Sequence, residues 1–85
     1  MYSVIYTRAA LKVLRKQPQH IAKRIKESID ELAKAPQEAE HVTKLQGREG
    51  YRLRVGGWRV IFDLENEQLI ITVIKISPRG DAYKH

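Results

Sequence analysis

Three arginines recur at strand spacing near the middle of the chain: Arg52 and Arg54 within Tyr51-Arg52-Leu53-Arg54-Val55, and Arg59 within Trp58-Arg59-Val60-Ile61-Phe62. A strand sends alternate side chains to opposite faces, so Arg52 and Arg54 share one face while Tyr51, Leu53 and Val55 share the other. Beyond Gly56-Gly57, the residues Trp58, Val60, Phe62 and Leu64 alternate with Arg59, Ile61 and Asp63. If both apolar faces pack inward, three guanidinium groups stand together on the opposite surface. Each stays charged and presents a planar fork matched to phosphate oxygens. Like charges repel, so such a cluster points to an anionic ligand, with phosphate the best match. The same groups could stabilise charge that develops on a phosphate during reaction. They cannot readily accept a proton.

Other chemistries have little support. His20, His41 and His85 lie far apart, and there is no HExxH, no CxxC and no carboxylate pair at ligand spacing, so no metal site is expected. The absence of cysteine and of a GxSxG motif leaves nucleophilic catalysis unsupported. Gly47, Gly50, Gly56 and Gly57 form no phosphate loop, and no cofactor is implied. His20 and His41 read as solvated helix and loop residues, and His85 ends the chain. Trp58 and Tyr51 fall in phase with the core. Tyr83 could stack on a base or exchange a proton, although an ordinary tyrosine, with a pKa of about 10, is a poor base unaided.

These groups need a scaffold. Tyr2 to Tyr6 reads as a strand, and Thr7 can cap the helix that follows, whose apolar stripe is Ala10, Leu11 and Leu14. Pro18 breaks that helix and suits the first turn of a second. There Ile21, Ile25, Ile29 and Leu32 fall on one face, and Pro36 marks the end. Residues 37–50 read as a polar connection. Strands follow at about 51–55 and 58–65, Gly56-Gly57 being a hairpin turn that needs positive φ. A turn at residues 65–68 leads to a strand over 69–76 that carries few charges and is expected to be central or covered on both faces. The expected fold is α+β, with order β-α-α-β-β-β: a helical hairpin packed on one face of a small, mainly antiparallel four-stranded sheet, with residues 1–85 forming a single domain. The other face is left free for function.

Charge is uneven. The net charge is +6, and residues 8–26 carry seven basic side chains and no acid, whereas residues 27–40 carry five acids against Lys34. Residues 41–61 return to five basic groups against Glu49. A field of this kind favours a polyanion. No apolar run is long enough to span a membrane, and the N-terminus lacks the charged-then-apolar pattern of a secretion signal. With no cysteine in the chain, a cytoplasmic location is expected.

The ordered set of Lys44-Leu45-Gln46-Gly47, Gly50-Tyr51-Arg52-Leu53-Arg54-Val55, Trp58-Arg59-Val60-Ile61-Phe62 and Arg79-Gly80-Asp81-Ala82-Tyr83 resembles the RelE/ParE toxin superfamily, and within it the RelE-type mRNA endonucleases. The resemblance covers nearly the whole chain. It implies the toxin of a type II toxin–antitoxin module that cuts mRNA in the ribosomal A site. The mRNA's own 2′-hydroxyl would attack the adjacent phosphate without metal, leaving a 2′,3′-cyclic phosphate and a 5′-hydroxyl. By this resemblance Arg52, Arg54, Arg59, Arg79 and Tyr83 are the catalytic candidates, with Lys44, Arg48, Arg52, Arg54 and His85 in substrate binding. Family members often carry lysine where this chain has Arg52 or Arg54, which leaves the proton acceptor to be found; Tyr83 and His85 are the candidates. The implied partners are a partly disordered, acidic antitoxin, the ribosome and its mRNA, with DNA reached only through the antitoxin. Two alternatives remain open: a ParE-type gyrase poison and a non-catalytic RNA- or ribosome-binding module.

Overall fold

The computed structural model describes residues 1–78. Along the chain run β1 (Ser3–Tyr6), α1 (Arg8–Lys16), α2 (Gln19–Lys34), a short 3-10 turn (Pro36–Glu38), β2 (Val42–Lys44), β3 (Tyr51–Val55), β4 (Trp58–Glu65) and β5 (Ile70–Pro78). The strands form one sheet in the order β1-β5-β4-β3-β2. The two helices cover one face, so the architecture is the expected α+β pair of layers.

The sheet has five strands rather than four. The extra strand, β2, lies inside the stretch expected to be a connection and pairs antiparallel with β3 from Val42↔Leu53 to Lys44↔Tyr51. The β-branched pair Val42-Thr43 was its local signal, too short to outweigh the polar residues around it. The pairing is also mixed. The strands β2 to β5 are antiparallel neighbours, but β1 joins the far edge parallel to β5, with Ser3↔Ile70 through Tyr6↔Val73. A parallel pair needs a long crossover, and the helical hairpin supplies it.

Local capping fixes the helices. Thr7 Oγ1 accepts from the Ala10 amide at 3.2 Å and donates to the Ile74 carbonyl at 2.7 Å, so one hydroxyl caps α1 and ties it to β5. Pro18 stands one residue before α2, at its N-cap, rather than in its first turn. Pro36 stops α2 and opens the 3-10 turn. Ala10, Leu14, Ile25, Ile29 and Leu32 pack against Leu53, Val55, Val60, Phe62, Ile71, Val73 and Ile76. Ile21, Tyr51 and Trp58 are half-buried at the margin of this core, and Tyr51 stacks on Phe62 with ring centroids 5.6 Å apart. The strand β5 is interior to the sheet, between β1 and β4. Its outward face is not sheathed by a helix: Lys75 is exposed there.

Candidate functional site

The β3–β4 hairpin keeps the phase expected of it. Leu53, Val55, Val60 and Phe62 are buried toward the helices, which turns Arg52, Arg54 and Arg59 to the open face. The turn is two residues, Gly56-Gly57, closed by the Val55↔Trp58 pair. Only the first glycine has positive φ (57°), the pattern of a type II′ turn, so one left-handed residue suffices.

Register sets the neighbours. Arg54 stands directly opposite Arg59, and Arg52 opposite Ile61. The Arg54 amide donates to the His41 carbonyl at 3.0 Å on the β2 side, which makes Arg54–Arg59 a non-hydrogen-bonded pair, with Cβ atoms roughly 4.5–5.5 Å apart. Two rows therefore cross the open face: Thr43, Arg52, Ile61 and Lys75, then His41, Arg54, Arg59 and Ser77. Arg52 and Arg59 are half-buried and Arg54 is exposed. Among the described residues the sole ion pair is Lys34–Glu31, so none of the three arginines is neutralised there by an acid. Arg54 Nη2 lies 3.4 Å from His41 Nδ1. The acids of this face, Asp63 and Glu65, sit at the opposite end of β4.

Two residues that sequence reasoning left out of the site are brought to it. Strict alternation from Ile71 and Val73 would turn residue 75 inward. Instead Ile61 pairs with Lys75 and Phe62 with Val73, so Ile74 is the extra residue of a β-bulge. The bulge reverses the phase, puts Lys75 on the arginine face and returns Ile76 to the core. The change from a spacing of two (Ile71, Val73) to three (Val73, Ile76) was the sequence signal. His41, read as a loop residue, is placed beside Arg54 by the pairing of β2.

Other candidates do not join the cluster. Lys44 pairs with Tyr51, whose side chain points to the helix side, so it is on the opposite face at the sheet edge. Arg48 lies in the loop that enters β3, at the far end of that strand from Arg54. Arg79, Tyr83 and His85 lie outside the described residues. A helix residue does approach: the Arg24 guanidinium lies so near the turn that a Cβ on Gly56 would meet its Nη2 at 2.9 Å. The one resolved pKa shift belongs to Tyr6, on β1 away from this face, where burial first and the Asp30 carboxylate second push the phenol up.

The arrangement is thus an unneutralised basic face able to grip phosphate and oppose developing negative charge. Comparisons with known proteins bear on what carries such a face. The family described as "ParE toxin of type II toxin-antitoxin system, parDE" matches residues 4–83. The toxin of the archaeal RelE–RelB complex from Pyrococcus horikoshii is 32% identical, with 93% of this chain and 96% of that chain covered and a TM-score of 0.80. The RelB–RelE complex from Methanococcus jannaschii gives 26% identity, 93% and 94% coverage and a TM-score of 0.72. The RelBE2 complex from Mycobacterium tuberculosis, at 23% identity, 92% and 98% coverage and a TM-score of 0.78, shares the fold. No curated protein matches the chain significantly. The chain belongs to the ParE toxin family of type II toxin–antitoxin systems, within the RelE/ParE superfamily.

Proposed function

We propose that this toxin is a metal-independent endoribonuclease that cleaves mRNA on the ribosome. The observation that carries the reading is the row of Arg54 against Arg59, flanked by Arg52 and Lys75, with no acid paired to any of them among the described residues. Arg54 and Arg59 hold the scissile phosphate. As the neighbouring 2′-hydroxyl attacks, they stabilise the added charge on its oxygens, and the products are a 2′,3′-cyclic phosphate and a 5′-hydroxyl. Arg79 would add a further guanidinium at the phosphate, and Tyr83 would stack on the nucleotide. Lys44 and Arg48, away from the cluster, would meet flanking backbone phosphates. The cognate partner is an antitoxin, as in the RelE–RelB complexes that this fold resembles; an acidic segment suits the basic face.

The test is in vitro translation of a reporter mRNA followed by primer extension. Cuts within ribosome-bound codons are expected with the wild type, and Arg59→Ala should lower their rate by about 100-fold or more. Growth arrest with intact mRNA would remove the reading. It would favour the second one, a gyrase poison, for which the family description itself speaks; inhibition of supercoiling by purified gyrase decides that case.

A further inference from the structure

We propose that His41 is the proton acceptor of this site, taking the 2′-hydroxyl proton as that oxygen attacks the phosphate held by Arg54 and Arg59. The proposal rests on the cleavage reading above. An arginine face can bind and stabilise charge, but it supplies no base. Imidazole is the side chain suited to exchanging a proton near neutral pH.

Three observations place His41 there. Its carbonyl accepts from the Arg54 amide at 3.0 Å, so it continues the row across the sheet one strand from Arg54 and two from Arg59, at about 4.8 Å per strand. Its Nδ1 is 3.4 Å from Arg54 Nη2. A guanidinium only donates, so Nδ1 presents its lone pair and the ring proton sits on Nε2. Finally, His41 has φ of 66°, in the left-handed region where glycine is the unstrained occupant, and strained positions gather at functional sites.

The groove beside it, about 450 Å³, is faced by Glu31 and Lys34 of α2, by Glu38 and Glu40, and by Arg54. The imidazole is exposed at its rim. When a phosphate engages Arg54, the guanidinium turns to the phosphate oxygens and frees Nδ1 beside the nucleophile. The 2′-oxygen then bonds to phosphorus as its proton passes to Nδ1. The bond from phosphorus to the 5′-oxygen breaks, that oxygen takes a proton from water, and the imidazolium returns its own to solvent.

The experiment measures reporter-mRNA cleavage on ribosomes from about pH 5 to 9 for the wild type, His41→Gly and His41→Asn. Glycine and asparagine both tolerate the left-handed backbone, so both variants should fold. Each should lose activity by about 100-fold or more, along with the acidic limb of the pH profile. Added imidazole should restore part of the rate to His41→Gly. The exposed His20→Ala serves as the control, with rate and profile unchanged. If the wild type cleaves and His41→Gly keeps its rate and acidic limb, His41 is not the base, while the cleavage reading stands. Activity retained by His41→Asn, or an acidic limb surviving in the residual activity, would make His41 a positioning group for Arg54 and overturn the proposal. A wild type that does not cleave overturns both.

Discussion

Arg54 and Arg59 face each other across β3 and β4 with no acid between them among the described residues. Directly opposed like charges destabilise a sheet, so this pair is tolerated at a cost to the fold. Arg54→Thr should therefore raise stability by roughly 0.2–1 kcal/mol, read as a higher urea midpoint, while mRNA cleavage falls. A second residue carries strain without charge. The Tyr6 hydroxyl is buried with no hydrogen-bond partner in the structure. Tyr6→Phe removes that orphaned group and should be neutral or stabilising in the same denaturation. Its raised pKa gives a further sign. The folded phenol holds its proton more tightly than the unfolded one. The folded state thus binds more protons above the unfolded value of about 10, and stability falls as pH rises through that range. Tyr6→Phe should flatten the alkaline loss, measured by unfolding from about pH 9 to 11.

At the scale of elements, the site depends on one bulge and two turns. Ile74 is the residue that turns Lys75 outward, and Thr7 ties it to the start of α1. Sequence reasoning found the hairpin because strict alternation holds through Tyr51–Val55 and Trp58–Glu65. It missed Lys75 because a bulge breaks the very periodicity on which such reasoning rests. It missed His41 because β2 has three residues and becomes a strand only by pairing with β3. The loop between these strands ends at Gly50, which is buried with φ of 116°; a Cβ there would meet Asp63 Oδ1 at 3.0 Å and the Phe62 carbonyl at 3.3 Å. Gly50→Ala should therefore cost more than about 1 kcal/mol, and a thermal melt should show it.

Across the whole molecule, positive charge has two lobes. One is the arginine face of the sheet. The other is the outer side of α1, where Arg8, Lys12, Arg15 and Lys16 surround Leu11. The sheet faces its helices on one side and its arginines on the other, so the two lobes cannot grip the same phosphate. They differ in what salt should reveal. Binding of single-stranded RNA should weaken with salt on a log–log slope that loses about 0.7 for each phosphate contact removed. Arg54→Ala and Arg59→Ala should each lower that slope and also stop cleavage. Lys12→Ala with Arg15→Ala should slow encounter at low salt and leave the cleavage rate at saturation intact.

The sequence by itself determined the two helices, the arginine hairpin and the family, because each is written in local periodicity or in a contiguous run of residues. Alternation at Leu53, Val55, Val60 and Phe62 was enough to turn three arginines outward once those side chains were buried. Tertiary structure decided which strands are neighbours, that β1 runs parallel at the edge, and which other groups complete the arginine face. His41 and Lys75 reach that face only through pairing between segments distant in the chain and through an extra residue that reverses the side-chain phase. Backbone hydrogen bonding makes those choices across strands, and no period within one strand encodes them.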